Sequence, residues 1–356
     1  MANSTLNIEI EKAVKSRLSE TDFSNLEFGA VYADHMFVTD YQKENWGTSK
    51  IIPFQKVTMS PAASVLHYGQ TVFEGMKAYK AENGDVLIFR PEAHFLRMNA
   101  SCRRLCMPEI PKDVFMEGLE KLVKLDRNWI PAQDGCSLYL RPFVYATDEF
   151  IGVRPSGSYK FIIFTCPVSG YYKGTVKVII ETEYVRAADG GIGFAKTGGN
   201  YAASLLPAKL AAAKGYQQLL WTDAKEHKYF EESGTMNVMF VVNDTILTPP
   251  LGSSILAGVT RDSILTLAKD WGVKVEERRV SVEEIVQAMK DRKLQDAFGT
   301  GTAATITHIS TIHHDGTDYE LPAVNTRKLS NKLNDELMKI KLGKAPDKFG
   351  WVHRVK

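Results

Sequence analysis

Residues 137–168, SLYLRPFVYATDEFIGVRPSGSYKFIIFTCPV, hold two strand-length apolar runs on either side of the turn-rich VRPSGS. β-Branched and aromatic residues at this density suit a pleated, buried surface, and Pro, Gly and Ser between them suit a turn. The stretch is predicted to form two paired strands. A sheet of that kind is stable only with other elements packed on its apolar face, so the flanking sequence has to supply them.

Helical patterns do so. VFMEGLEKLVKLDRNWI (114–130) spaces Val114, Phe115, Leu119, Leu122, Val123 and Trp129 for one buried helix face. HFLRMNASCRRL reads as an amphipathic helix following the short strand VLIFRPE (86–92). PVSGYYKG (167–174), with Pro and two Gly, reads as a linker. Beyond it, VKVIIETEYVRA, QQLLWTDA, YFEESGTMNVMFVVN and DTILTPP read as strands with turns. YAASLLPAKLAAAKG, TRDSILTLAKDWG, SVEEIVQAMKDRK and TRKLSNKLNDELMKI read as helices. At 356 residues the chain divides most naturally into two domains: a smaller one over 1–166, a connecting loop over 167–175, and a larger one over 176–356. The expected fold class is α/β (α+β), with the active site between the two domains.

Composition excludes several function classes. A net charge of +2 offers no electrostatic basis for binding nucleic acid or an anionic membrane. No stretch approaches the roughly 18 apolar residues that span a bilayer, and the N-terminus lacks the apolar core of a signal peptide. Cys102, Cys106, Cys136 and Cys166 form no CxxC pair, which points to reduced thiols in a cytoplasmic setting and to no metal site. Cys102 and Cys106 read as core or near-core helix residues, and the closing FGWVHRVK as a solvated tail.

Four stretches carry chemistry. FAKTGGNYAASLL (194–206) sets Lys196 among small and apolar residues. An amine deprived of hydration is more often neutral, and a neutral amine attacks a carbonyl to form a Schiff base. Gly198 and Gly199 give the following backbone freedom, and Tyr201 brings a phenol. SSILAGVTRDSILTLAKDWG (253–272) places Gly258 and a capping Thr260 at a helix start, whose free amides suit a phosphate. FEESGTMNVMFVV puts Glu231 and Glu232 at the mouth of a buried strand, a costly position unless a carboxylate finds a cationic partner. FGTGTAATITHI contains G-x-G-x-x-A, but strand-like TITHI follows where a dinucleotide fingerprint needs a helix, so NAD binding is rejected. An imine-forming lysine, a phosphate cradle, a carboxylate for a ring nitrogen and a phenol together match the needs of pyridoxal 5′-phosphate.

The motifs HYGQTVFEGMKAY (67–79), SLYLRPF, KTGGNYAASLL, EESGTMNVMF, TPPLGSSILAGVTRDSIL and GTGTAA resemble, in order, those of the branched-chain amino-acid aminotransferases, which are fold-type IV pyridoxal phosphate enzymes. The likeness runs over residues 25–345. It implies transamination of leucine, isoleucine and valine with 2-oxoglutarate, giving 2-oxo acids and L-glutamate by a ping-pong route. It makes Lys196 the Schiff-base lysine and proton shuttle. Arg97, the amides of Val259 and Thr260, and Thr302 would hold the cofactor phosphate. Tyr201 would meet the ring oxygen O3′, and Glu232 the ring nitrogen, with Glu231 the alternative one residue away. Tyr68, Phe73, Tyr139 and Tyr171 would wall the aliphatic pocket. Thr302 and Ala303 would receive the α-carboxylate, and Arg141 the side-chain carboxylate of glutamate. Ile151 and Val153 match a loop that reaches a neighbouring subunit's site, so the resemblance implies a homodimer. PVSGYYKG matches the interdomain loop over the active site. The CxxC pair that animal members carry after the GTA turn is absent here. SLYLRPF and the full ExGTMN disfavour D-amino-acid aminotransferases, aminodeoxychorismate lyases and (R)-selective amine transaminases. An intact Lys196 and Glu232 disfavour a non-catalytic descendant of the fold.

Overall fold

The computed structural model describes residues 6–169 and 174–356. The chain clusters into two compact units, one of Met1–Tyr171, Ala195–Gly198 and Lys339–Lys356, the other of Tyr172–Phe194 and Gly199–Met338.

In the first unit, β1 (Ile8–Ile10), β2 (His35–Gln42), β3 (Asn45–Trp46), β4 (Ser49–Pro53), β5 (Thr71–Phe73), β6 (Met76–Lys80), β7 (Val86–Phe89), β8 (Ser137–Ala146) and β9 (Tyr159–Val168) share one sheet with the last strand, Val352–Arg354. Its order is β1-β4-β2-β9-β8-β6-β7 and then Val352–Arg354, with β3 on β2 and β5 on β8. The two apolar runs of residues 137–168 pair as expected: β8 and β9 are antiparallel from Ser137 opposite Val168 to Ala146 opposite Tyr159.

Helices α1 (Ser64–Tyr68), α2 (Pro91–Arg104) and α3 (Lys112–Leu125) belong to the same unit. Of the expected face, α3 buries Val114, Phe115, Leu119, Leu122 and Val123, while the helix ends at Leu125 and Trp129 lies in the 3-10 turn Arg127–Trp129 beyond it. Phe115 stacks on Phe161 of β9 with ring centres 6.1 Å apart. Burying such a ring contributes about 2–3 kcal/mol, so this seam is a principal source of the unit's stability.

Several sequence-based expectations differ from the structure. The strand over VLIFRPE ends at Phe89, because Arg90 turns left-handed (φ 50°) and Pro91 opens α2, where a missing N–H costs nothing. Cys106 is exposed and lies past the end of α2, although Cys102 is in the core. FGWVHRVK is no solvated tail: Trp351 is buried, and Val352–Arg354 pairs antiparallel with β7.

The second unit contains β10 (Val176–Ile180), β11 (Gln218–Thr222), β12 (Phe230–Ser233), β13 (Met236–Val242), β14 (Thr245–Thr248), β15 (Val275–Glu277), β16 (Leu294–Gly301), β17 (Thr305–His314) and β18 (Thr317–Glu320). The order β12-β11-β10-β17-β16-β13-β14-β15 closes on itself because β12 also pairs with β13. The strand that carries Glu231 and Glu232 is therefore paired on both edges.

The remaining helices are α4 (Gly198–Ala203), α5 (Leu205–Ala213), α6 (Val259–Asp270), α7 (Val282–Lys290) and α8 (Lys328–Lys341). YAASLLPAKLAAAKG is two helices rather than one. Pro207 has no N–H for the Ala203 carbonyl, and the Ser204 hydroxyl donates to the Tyr201 carbonyl at 2.8 Å. TITHI lies in β17, as the rejection of a dinucleotide fingerprint required. No helix among the described residues is long and apolar enough to cross a membrane.

Candidate active site

Lys196 enters the first unit as a short segment laid against β5. The Phe73 amide donates to the Lys196 carbonyl at 3.0 Å, and Val72 bridges Thr197 in antiparallel fashion. The Lys196 amide donates to Ser101 Oγ at 2.9 Å, and Thr197 Oγ1 donates to the Thr71 carbonyl at 2.7 Å. The main chain is thus held on both sides of the lysine, while its half-buried side chain puts Nζ 4.7 Å from the centre of the Phe73 ring.

Helix α2 faces this segment with His94, Arg97 and Ser101, which its 3.6-residue turn brings to one side. Glu74, wholly buried, receives Arg97 Nε at 2.6 Å, Arg97 Nη2 at 2.8 Å and His94 Nδ1 at 2.6 Å. Burial opposes its ionisation, but the Arg97 guanidinium and His94 hold the carboxyl well below the usual glutamate range. Burial, with the Arg97 and Lys196 charges, keeps the His94 imidazole below its ordinary value despite Glu74, so it donates as a neutral ring. Arg97 is therefore fixed in orientation by a two-point fork.

Tyr139 and Arg141 project from alternate positions of β8. Arg141 Nη2 donates to the Tyr139 hydroxyl at 3.1 Å, and its guanidinium lies 4.7 Å from the Phe73 ring centre and 5.3 Å from that of Tyr139. A Cβ on Gly75 would fall 1.9 Å from the Tyr139 hydroxyl, so the glycine of the FEG motif is what admits that phenol. Phe73, Tyr139, Arg141 and Lys196 thus gather in one unit. Tyr68, at the end of α1, is 42% exposed, and Ile151 and Val153 stand out in a loop at 68% and 90%. Tyr171 lies outside the described residues.

In the second unit, Tyr201 of α4 and Glu232 of β12 line one pocket with Arg186, Asn200, Ser204 and Leu256. Glu232 Oε1 accepts from Asn237 Nδ2 at 3.1 Å and from the Leu256 amide at 3.0 Å, and Oε2 lies 2.8 Å from Arg186 Nε. Glu231 faces the other way, as strand alternation requires, with Oε1 receiving Ser254 Oγ at 2.5 Å. Asn237 joins the Glu232 carboxylate to the start of α6: its Nδ2 also donates to the Leu256 carbonyl at 2.9 Å, and a Cβ on Gly258 would fall 1.9 Å from its Oδ1.

Gly258, not Thr260, is the N-cap of α6, and no side chain caps it. Thr260 sits one position into the helix, buried beside Val259, which corrects its expected capping role. Thr302 and Ala303, half-buried, occupy the turn between β16 and β17. Among the described residues, no group of His, Cys, Asp and Glu is placed to hold a metal ion.

Sequence reasoning missed Glu74, His94, Ser101, Arg186 and Asn237. Glu74 and Asn237 stand inside quoted motifs, yet a motif does not disclose which of its members orient the others. Arg186 lies near the end of VKVIIETEYVRA, whose strand ends at Ile180, and nothing in that stretch marks the arginine.

Over residues 71–312 the sequence matches the family model of class IV amino-transferases. It is 45% identical to the branched-chain-amino-acid aminotransferase 2 of Bacillus subtilis, an alignment covering 100% of this chain and 98% of that protein. The fold matches a crystal structure of the Escherichia coli branched-chain amino acid aminotransferase with a TM-score of 0.73 at 26% identity, over 91% of this chain and 99% of that one. It matches the T.th. branched-chain amino acid aminotransferase complexed with N-(5′-phosphopyridoxyl)-L-glutamate with a TM-score of 0.71 at 26% identity, over 89% and 98% of the two chains.

Proposed function

The chain belongs to the class IV aminotransferases, among the branched-chain-amino-acid aminotransferases, and from that premise we propose that it transfers the amino group of leucine, isoleucine or valine to 2-oxoglutarate with pyridoxal 5′-phosphate as cofactor. The observation that carries the cofactor reading is the pocket where Tyr201, Arg186 and Glu232 meet. A carboxylate in an ion pair and a phenol on one wall fit the protonated nitrogen and the ring oxygen of a pyridine. The uncapped start of the twelve-residue α6 fits a phosphate dianion. The bound phosphopyridoxyl group in the T.th. relative supports the same reading.

When bound, the cofactor supplies an electrophilic carbon for the amine and a sink for the electrons of the Cα–H bond. The other tasks fall to the chain. Lys196 Nζ holds the cofactor between turnovers and, once freed, moves the proton taken from the substrate Cα. Its pinned main chain restricts that motion to side-chain rotation, so Nζ stays near its work. Glu232 keeps the ring-nitrogen proton in place, Tyr201 orients the ring oxygen, and Arg97 with the Val259 and Thr260 amides and Thr302 holds the phosphate.

Such an enzyme must accept an aliphatic side chain in one half-reaction and a carboxylate in the other. Phe73, Tyr68, Tyr139 and Tyr171 exclude water from the aliphatic chain, and Thr302 and Ala303 take the α-carboxylate common to all substrates. Arg141 takes the glutamate side chain. Its guanidinium, near the Phe73 and Tyr139 rings, leaves an apolar surface when no carboxylate is present.

A homodimer is proposed as the working unit. Leu205, Leu206 and Leu210 of α5 are 69%, 53% and 43% exposed, and Leu66, Ile151 and Val153 stand open in the first unit. Exposed apolar residues of this size and number suit a subunit interface. Four free cysteines fit a cytoplasmic location. Comparing turnover of L-leucine, D-alanine and L-phenylalanine by the purified enzyme tests the substrate assignment; a preference for D-alanine contradicts it.

A further inference from the structure

Glu231 and Glu232 are neighbours in β12, face opposite ways, and are both buried, 8% and 3% exposed. Oε1 of Glu231 receives Ser254 Oγ, while its Oε2 is buried and meets no hydrogen-bond donor among the described residues. The carbonyl of that same Ser254 accepts from Arg186 Nη2, which also donates to the Gly193 carbonyl at 3.2 Å. Nε of the same guanidinium lies 2.8 Å from Glu232 Oε2. The two adjacent carboxyl groups are therefore joined around the strand through one serine and one arginine.

We propose that Glu231 is a positioning residue for Glu232: by holding Ser254 it fixes the Arg186 guanidinium that orients the Glu232 carboxylate, and so sets how tightly the protein holds its cofactor. The inference rests on Glu232 being the partner of the cofactor's ring nitrogen. A residue that served only to fill space would not need a hydroxyl held at 2.5 Å beside a guanidinium shared with the neighbouring carboxylate. Both links of the chain are hydrogen bonds or ion pairs between largely buried side chains, where geometry is transmitted rather than absorbed.

The charge state of Glu231 strengthens the coupling. Burial, aided by the Glu232 and Asp223 charges, pushes its carboxyl up to about 7 against the opposing pull of Ser254 and Arg186. Asp189, Lys225, Glu226 and Arg279 are the other charged groups lining the pocket that Glu231 edges. Below neutrality Glu231 is uncharged, and Arg186 serves Glu232 alone. Above it, a second buried negative charge competes for Arg186 one residue away, and the hold on the cofactor weakens.

The test compares wild type, Glu231→Gln, Glu231→Ala and Ser254→Ala by titrating the cofactor-stripped enzyme with pyridoxal phosphate at about pH 6 and about pH 8.5, either side of the Glu231 transition. Glu231→Ala and Ser254→Ala are expected to bind the cofactor on the order of tenfold more weakly, the loss of about one hydrogen bond. Glu231→Gln, which keeps an oxygen for Ser254 and cannot ionise, is expected to bind as wild type at the lower pH and more tightly than wild type at the higher. Wild-type affinity in all three variants at both pH values overturns the inference. If Glu231→Ala does not fold, Glu231→Gln and Ser254→Ala decide on the same terms. A wild type that binds no pyridoxal phosphate overturns the reading of Glu232 and this inference with it, whereas binding by wild type with unaltered variants overturns the inference alone.

Discussion

Lys196 Nζ lies 4.7 Å from the centre of the Phe73 ring, and the Phe73 amide donates to the Lys196 carbonyl at 3.0 Å. One residue thus supplies both a backbone anchor and an apolar wall for the amine. Phe73→Ala keeps the anchor and removes the wall. The Michaelis constant for L-leucine is expected to rise by roughly tenfold, the scale set by apolar contact in a binding pocket. Steady-state rates over a leucine series measure it, and an unchanged constant refutes the assignment of Phe73 to the substrate wall.

Glu74 accepts three hydrogen bonds from Arg97 and His94 with no access to water. Glu74→Gln leaves a buried guanidinium without its counter-charge and is expected to cost about 3 kcal/mol of stability, read by denaturant unfolding. The sign of the pH dependence follows from the lowered carboxyl. Its contribution is complete above the unfolded value, about pH 4, and is lost as pH falls through the folded value. The difference in stability between wild type and Glu74→Gln should therefore shrink as the solution is acidified below about pH 4. A gap that widens in acid contradicts the ion pair.

Arg141 is the residue proposed to distinguish the two half-reactions. Arg141→Met preserves an apolar surface but offers nothing to a side-chain carboxylate. The Michaelis constant for 2-oxoglutarate is expected to rise by at least roughly tenfold, with that for leucine changed far less. Equal effects on both substrates would assign Arg141 to general packing.

The exposed leucines of α5 make the proposed dimer testable. Leu206→Asp places a charge on a 53% exposed apolar site, which a free surface tolerates and a subunit interface does not. Sedimentation is expected to show dissociation of the variant; an intact dimer excludes this face from the interface.

Much of this was legible in the sequence because it follows local rules. The pairing of β8 with β9 and the buried face of α3 follow from the alternation and helical spacing of their own residues. Lys196, Glu231 and Glu232 stood out because charged groups are ill-suited to such neighbours, and Tyr201 because it brings a phenol close behind the lysine. What escaped depends on contacts between distant segments. FGWVHRVK has the composition of a tail and becomes a strand only because β7 offers it an edge. Arg186 acquires its role from Glu232 and Ser254, which are 46 and 68 residues away, and Ser101 from a lysine 95 residues on. The break between α4 and α5 was signalled by Pro207, whose missing N–H outweighs the helical preference of the alanines around it.

The most direct test of the account is the visible absorbance of the purified enzyme during stepwise addition of L-leucine and then 2-oxoglutarate, with Lys196→Ala as the companion variant. The expected result is a cofactor band that leucine bleaches and 2-oxoglutarate restores, and a Lys196→Ala variant with neither the wild-type band nor turnover. A band that leucine leaves unmoved, or wild-type turnover by Lys196→Ala, would contradict it.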